Sequence, residues 1–544
     1  MVDYITYEDT IIFSPEFNKL LESELLLNHK KIIFSDYELN DYLFKAYENN
    51  NLNNLKYIGS KFNQPLNNSL DKLISLTHLT FGYEFNQPLN NSLDKLISLT
   101  YLTFGSKFNQ HLNNSLGCLT CLTYLTFGVT FNQPLANSLD KLISLTHLTF
   151  GIDFNQPLAN SLESLTSLTH LTFGYNFIQP LNNSLESLTS LTHLTFSSFN
   201  QPLDNSLEKL ISLTHLTFGY CFNQPLANSL DKLISLTHLT FGIYFNQPLA
   251  NCLGSLTSLT HLTFGIDFNQ PLANSLDKLT SLTHLTFGSH FNQPLNNSLE
   301  SLTCLIHLTF GRYFNQPLKN SLDKLSSLTH LKLGFHFNYP LSNSLDKLSL
   351  LTHLTFDIDF NQPLVNSLDN LISLTHLTFG KNFNQHLANS LDKLISLTHL
   401  TFGYRFNQPL DISLDKLTSL THLELGFYFK QKNDLPTNIK SISINCNNSY
   451  YTDFLPSNIE EIELGLNFVL EFDNLPSSVK KITFNKESNY NKELNCLPNG
   501  LEILQIPKRY KLKIKNIPKG LKKLICDKNY PFINDFLGLK IRYY

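Results

Sequence analysis

A repeat solenoid with one parallel β-sheet and short helical or irregular arms is the fold class this sequence predicts, on three observations. The first is recurrence. The run from Phe62-Asn63-Gln64-Pro65-Leu66 to Gly82-Tyr83-Glu84 returns almost letter for letter from Phe85. Anchoring phenylalanines fall at Phe62, Phe85, Phe108, Phe131, Phe154 and Phe177, a step of 23 (85 − 62). One step of 22 then leads to Phe199 (199 − 177), and the series continues from Phe222 to Phe406. A fixed period of about 20 to 50 residues marks a stack in which each unit covers its neighbour's apolar face. The second observation is the polar/apolar alternation of Thr77-His78-Leu79-Thr80-Phe81-Gly82, which suits a short half-buried strand ended by glycine. The third is the spacing of Leu70, Leu73 and Leu76, three apart, which places them on one face of a compact arm.

Taken along the chain, residues 1–50 come first. FNKLLESELLLNHKK and YELNDYLFKAYENNN space their apolar residues as helices do, which predicts a helical cap ahead of a first strand-like segment at Leu55–Gly59. In each repeat of residues 51–429, the proline of FNQPL forbids helix or central strand and stiffens a turn. Ser69 then stands where it could cap a short helical or 3₁₀ arm through Leu70, Leu73 and Leu76. The strand follows, with Leu79 and Phe81 inward and His78 and Thr80 outward. Strands that recur at one period must stack in parallel. Two asparagine columns, Asn63-Asn86-Asn109-Asn132-Asn155, which lapses at Ile178, and Asn68-Asn91-Asn114-Asn137, are expected to be inward ladders that satisfy turn backbone. Beyond Phe429, Leu435-Pro436, Leu455-Pro456, Leu475-Pro476, Leu497-Pro498 and Ile517-Pro518 keep a similar beat, each ahead of a strand-like pattern such as Val479-Lys480-Lys481-Ile482-Thr483-Phe484.

The formal charge is −4 over 544 residues and only 15% of residues are charged, so the surface is mostly neutral polar. Duplex nucleic acid, which selects a basic footprint, is a poor fit. No run approaches the roughly 18 apolar residues of a membrane span, and MVDYITYEDTIIF carries acids where a secretory leader needs base. The eight cysteines keep no fixed position in the repeat, unlike a disulfide framework. Both features lead us to expect an intracellular, cytoplasmic chain, in which Asn67-Asn68-Ser69 and its copies are by-products of the repeat and not glycosylation sites.

FNQPL, the following SLxxLxSLTHLTFG and their period resemble the FNIP repeat, a relative of the leucine-rich repeat known mostly from social amoebae and giant DNA viruses. The resemblance covers residues 62 to about 428, and residues 430–544 are similar to divergent units of the same class ending in a cap. It implies a leucine-rich-repeat-like curved stack that binds partners without catalysis. It also implies an alternative for residues 1–50, because proteins of this family often begin with an F-box that joins a Skp1-type ubiquitin-ligase scaffold. Here only Ser14-Pro15-Glu16-Phe17 hints at that opening.

The conspicuous chemical feature is a row at the first outward strand position: His78, Tyr101, Tyr124, His147, His170, His193, His215, His238, His261, His284, His307, His330, His353, His376, His399 and His422. With Lys332 and Glu424, which replace the second outward threonine, these are the candidate partner-binding residues. Tyr101, Tyr124, Lys332 and Glu424, where copying fails, are expected to carry the specificity. Metal binding is the sharper reading of the imidazoles, but a uniform row offers no special place for mixed tetrahedral ligands. We therefore expect no metal, cofactor or catalytic residue. The imidazoles are expected to charge below roughly pH 6.5, destabilising the array or releasing a ligand. Cys118-Leu119-Thr120-Cys121 has CxxC form, but in the repeat frame its cysteines stand for Lys95 and Ser98. Lys508, Arg509, Lys511, Lys513, Lys515, Lys519, Lys522 and Lys523 form a basic cluster, and Lys511-Leu512-Lys513-Ile514-Lys515 alternates like a strand with one basic face. Such a face suits either a protected end cap or, alternatively, an acidic partner or RNA phosphate.

Overall fold

Within each of the two units, the alternating segment of a turn is a strand whose neighbour lies in register one repeat away. The computed structural model describes residues 3–40, 43–49, 51–52, 55–249, 252–410, 414–432, 434–446, 455–471 and 474–544. They divide into an N-terminal unit, Met1–Gln270 with Asn274–Ser281, and a C-terminal unit, Pro271–Ala273 with Leu282–Tyr544. In the N-terminal unit, parallel strands run from His78–Thr80 to His261–Thr263, His78 pairing with Tyr101 and so on to His238 with His261. In the C-terminal unit they run from His284–Thr286 to His422–Leu425 and continue through Ser441–Ile444, Glu461–Leu464, Lys481–Phe484, Ile503–Gln505, Lys523–Cys526 and Lys540–Tyr543. The LP-type segments are therefore further turns of the same stack.

The core of each unit is a set of apolar columns. Leu70, Leu73, Leu76 and Leu79 are buried with their equivalents. The phenylalanines make two interleaved ring columns: Phe62 stacks on Phe85 at 5.9 Å, Phe81 on Phe104 at 5.8 Å, and Phe81 against Phe85 at 4.0 Å. Stacked rings of this kind add about 0.5–1.5 kcal/mol per pair beyond the area they bury.

Three local expectations are corrected. The leucine arm is a chain of separate turns, not a helix: Ser69, Leu73 and Leu76 donate to the carbonyls of Leu66, Leu70 and Leu73, each three residues back. With a leucine every third residue entering the core, the arm has no use for a helix of 3.6 residues per turn, and the serine column serves the stack instead, as where Ser138 Oγ donates to the Asn113 carbonyl of the preceding turn. The second asparagine column is exposed, not inward. The residue before it, at Asn67, Asn90 and Ala136, holds a left-handed backbone, with φ of 45°, 47° and 43°.

The N-terminal segment is the third correction, because among its described residues helix is confined to α1 (Ser23–Leu26) and α2 (Leu43–Glu48). Residues 41–42 and 50, within the second predicted helix, lie outside the described residues. β1 (Tyr4–Tyr7) pairs antiparallel with β2 (Thr10–Phe13), β2 runs parallel to β3 (Lys31–Phe34), and β3 runs parallel to His78–Thr80. Leu55–Gly59 contributes only an isolated bridge, Tyr57 to Tyr37. The reason is that Phe17-Asn18 acts as an early FNQPL-type turn: Phe17 stacks on Phe62 at 6.0 Å, and Asn18 Oδ1 accepts the Asn63 N–H at 3.0 Å. Phe34 likewise stacks on Phe81, at 6.0 Å.

The first asparagine column behaves as expected. Asn223 Oδ1 accepts the Asn246 N–H at 2.9 Å, and Gln247 Nε2 donates to the Asn223 carbonyl at 3.0 Å. Asn223→Ala strands a half-buried N–H and is expected to cost about 1–3 kcal/mol. Asn223→Asp, which keeps the acceptor, is expected to cost less. Urea titration of both variants checks the order.

Candidate interaction surface

Each strand offers two outward positions, and the first carries the predicted row. Its rings stack on one another along the sheet: His78 on Tyr101 at 4.4 Å, Tyr101 on Tyr124 at 4.2 Å, Tyr124 on His147 at 4.0 Å, and His353 on His376 at 4.2 Å. Most row residues are half-buried; Tyr101 and His422 are exposed. Within each unit these spacings are shorter than the turn-to-turn spacings of the buried phenylalanines, 5.9 Å for Phe62 on Phe85 in the N-terminal unit and for Phe383 on Phe406 in the C-terminal unit. The strand face is therefore the compressed side of the stack.

The hydrogen bonds set the tautomer. Thr146 Oγ1 donates its one proton to the Thr123 carbonyl at 3.0 Å, so the 2.9 Å contact between Thr146 Oγ1 and His147 Nδ1 has the imidazole N–H as donor. The same pair of bonds recurs at Thr169 with His170, Thr237 with His238 and Thr398 with His399. The proton lies on Nδ1 and the lone pair on Nε2. Parallel stacked rings carry their lone pairs side by side instead of converging on one point, which is the wrong geometry for a tetrahedral metal. Among the described residues, no group of three or more His, Cys, Asp or Glu is placed to hold a metal ion.

Burial, with like charge from neighbouring rings, lowers the imidazole pKa along the row: in His147, His170, His193, His215 and His238, in His353 and His376, and to about 4 in His330 and His399. For His78, burial leads and the Lys31 charge adds to it. The expectation that the row charges below roughly pH 6.5 is thus corrected for these ten histidines, which in the folded chain stay neutral to lower pH.

The specificity candidates are distributed unevenly. Tyr101 and Tyr124 continue the ring stack of the N-terminal unit. Lys332 is exposed between Thr309 and Thr355. Glu424 is half-buried, accepts from Asn445 Nδ2 at 2.9 Å, and has its carboxyl pKa raised by burial. Cys118 and Cys121 are exposed free thiols. The basic segment 511–515 is not a strand. Its cluster is interleaved with acids from adjoining turns: Lys508 with Glu487 at 2.9 Å, Lys513 with Asp535 at 3.2 Å, Lys515 with Glu493 at 3.3 Å and Lys522 with Glu502 at 2.9 Å. Acids that were absent between its members in sequence are supplied through space.

One surface lies outside the sequence expectations, which place the telling deviations only at the two outward strand positions. The pair between each strand's glycine and the next buried phenylalanine changes in nearly every turn: Tyr83-Glu84, Ser106-Lys107, Val129-Thr130, then Arg312-Tyr313, Phe335-His336, Lys381-Asn382 and Tyr404-Arg405. That variation, against near-identical copies, is the signal that could have found it. The stack aligns these pairs into a ridge along the edge of the strand face. Neighbouring turns touch there, as where Lys107 pairs with Glu84 at 2.8 Å or Tyr244 packs on Tyr220 at 4.9 Å.

Comparison with known proteins follows the same lines. The FNIP Repeat family model matches residues 431–467 and 467–509, which are the LP-type turns. No curated protein matches the chain in sequence. Among solved structures, CroV588 of a giant virus, described as a novel circular LRR protein, is 28% identical with a TM-score of 0.60, covering 100% of both chains. The TLR13–ssRNA13 complex is 15% identical with a TM-score of 0.55, covering 96% of this chain and 82% of that one. The Drosophila Toll–Spatzle complex is 16% identical with a TM-score of 0.54, covering 88% of this chain and 63% of that one. The last two matches are likenesses of fold.

Proposed function

Because the chain is an FNIP-repeat, leucine-rich-repeat-like protein, we propose that it is a non-enzymatic scaffold that binds a protein partner on the exposed strand face of its solenoid. The observation that carries this reading is the strand face itself: a row of half-exposed, stacked aromatic rings with threonines beside it. Such a surface presents apolar ring edges and hydrogen-bonding tips together, the combination that favours protein contacts. Stacked repeats offer long surfaces of this kind and no enclosed reaction site. Fold neighbours solved in complexes, Toll with Spatzle and TLR13 with ssRNA13, fit a binding role. Among the described residues no helix is long and apolar enough to cross a membrane.

The Skp1-type alternative asks Ser14-Pro15-Glu16-Phe17 to face a ligase scaffold. Phe17 is only 6% exposed and packs on Phe13 at 4.4 Å, so its side chain serves the stack. We therefore keep the scaffold reading ahead of it. A photo-crosslinking residue at Tyr124 or Lys332, in cells that make the full chain, is expected to form discrete adducts with a protein. The same probe at Ile143, 58% exposed on the leucine arm, is expected not to. Equal labelling from the arm, or no protein adduct from either strand-face position, would overturn the reading.

A further inference from the structure

The variable ridge of the C-terminal unit has a chemistry of its own, distinct from the uniform strand face. Arg312 lies over the ring of Phe335 at 4.7 Å, and Lys381 lies over Tyr404 at 5.4 Å. Tyr404 in turn stacks on Phe427 at 4.9 Å. Arg405 is exposed, and its guanidinium has no ionic partner among the described residues. Among the described residues of the ridge, the acids are Asp357 and Asp359. Asp357 Oδ1 accepts its neighbour's N–H, from Ile358, at 2.9 Å. Asp359 is occupied on both oxygens, by His336 Nδ1 at 2.6 Å and by Asn382 Nδ2 at 2.8 Å. Between these groups opens a polar pocket of about 480 Å³, lined by His336, Asp359, Asn382 and Arg405 together with ladder asparagines. The ridge therefore offers cationic donors beside aromatic surface, with hydrogen bonds from within the ridge already made to Asp357 Oδ1 and to both oxygens of Asp359.

We propose that this ridge docks an extended acidic segment of a protein, its carboxylates held by Arg312, Lys381 and Arg405 and its apolar residues packed against the free edges of the Tyr404 and Phe427 rings. Charge complementarity selects the occupant: three cations on one edge need anions to desolvate against, and Arg405 can bind a carboxylate through two parallel N–H bonds. Reach agrees with it. The phenylalanines beneath the ridge are spaced 6.1, 6.0 and 6.0 Å from Phe314 to Phe383. The three turns from Arg312 to Lys381 thus match about five residues of extended chain. Single-stranded nucleic acid would also bring anions, but it needs free ring faces for base stacking. Here the face of Phe335 is taken by Arg312, and that of Tyr404 by Lys381 and Phe427. The proposal rests on the scaffold reading for its class of partner but not for its surface.

The test is fluorescence anisotropy with the full chain and three probes of equal length: a peptide alternating Asp and Leu, its Lys-Leu counterpart, and oligouridine RNA. The Asp-Leu peptide is expected to bind best, and to weaken as salt rises. The triple variant Arg312→Glu, Lys381→Glu, Arg405→Glu is expected to lose about tenfold or more in affinity, and Arg405→Gln alone a smaller part. All three side chains are exposed, and unchanged circular-dichroism melts will show that the variants fold. His353→Ala with His376→Ala, on the strand face, is expected to leave peptide binding unchanged. Binding no better than that of the Lys-Leu peptide, unchanged binding by the triple variant, or tighter binding of oligouridine each overturns the proposal. Peptide failure alongside strand-face crosslinks to a protein removes the ridge and keeps the scaffold. Absent crosslinks alongside peptide binding do the reverse.

Discussion

Melts at pH 7.5 and pH 5.5 are expected to differ, with the protein less stable by several degrees at the lower pH. Ten row histidines have lowered pKa values, six in the N-terminal unit and four in the C-terminal unit. A group with a folded pKa below its unfolded value of about 6.5 takes up protons more readily when the chain is unfolded. Its contribution to stability is complete above that value and is lost as pH falls towards the folded pKa, about 4 for His330 and His399. His330 and His399 each give up about 0.5–1 kcal/mol at pH 5.5 once partial exposure is allowed for, and the other eight lose stability in the same direction. Tyr101 and Tyr124 show that tyrosine fits the same column, so His170→Tyr, His193→Tyr and His215→Tyr together are expected to reduce the acid sensitivity of the N-terminal unit. Coincident melts at the two pH values, or imidazole titrations centred at 6.5, would refute this account.

Gly151→Ala is expected to be the most damaging of the smallest substitutions, at about 2–4 kcal/mol. A Cβ on Gly151 would stand 1.8 Å from the Gly128 carbonyl oxygen, and one on Gly128 would stand 1.9 Å from that of Gly105. Neither glycine has positive φ; the requirement is the close approach of successive backbones at the strand end. Serine and aspartate each enter this column, at Ser197 in the shortened turn and at Asp357, whose carboxylate accepts a backbone N–H that alanine could not serve. Gly117→Asp provides the control. It restores the residue that most copies carry, and its nearest obstacle is the Asn114 side chain at 2.7 Å, which can move. Its effect is expected to stay within about 0.5 kcal/mol. Equal losses in the two variants, read from chemical denaturation, would mean that the glycine column is not a steric requirement.

Both predictions concern positions that were visible in the sequence, though their physics was not. The strand of every turn, its inward leucine and phenylalanine, and the asparagine that caps the next turn were legible because repetition samples one environment many times. The N-terminal segment misled because it occurs once. Its Phe17-Asn18 pair lies 45 residues before Phe62 (62 − 17), not 23, so periodicity could not flag it, while leucine-rich spacing imitated helix. The leucine arm misled for a related reason: a spacing of three fits 3₁₀ helix and successive turns equally well.

What repetition specified here is the stack: its period, its parallel strands, its buried columns and its outward row. Each follows from local pattern and from the need of every turn to bury the same face. Which outward groups are neutralised and which stay available was decided only in three dimensions. Lys508 and Lys522 find acids on adjoining turns, Asp359 is sealed by His336 and Asn382, and Arg405 remains unpaired. Partners 20 to 23 residues apart in sequence lie within bonding distance once the turns stack, and a charge's availability depends on that neighbour across the stack as well as on its neighbours along the chain.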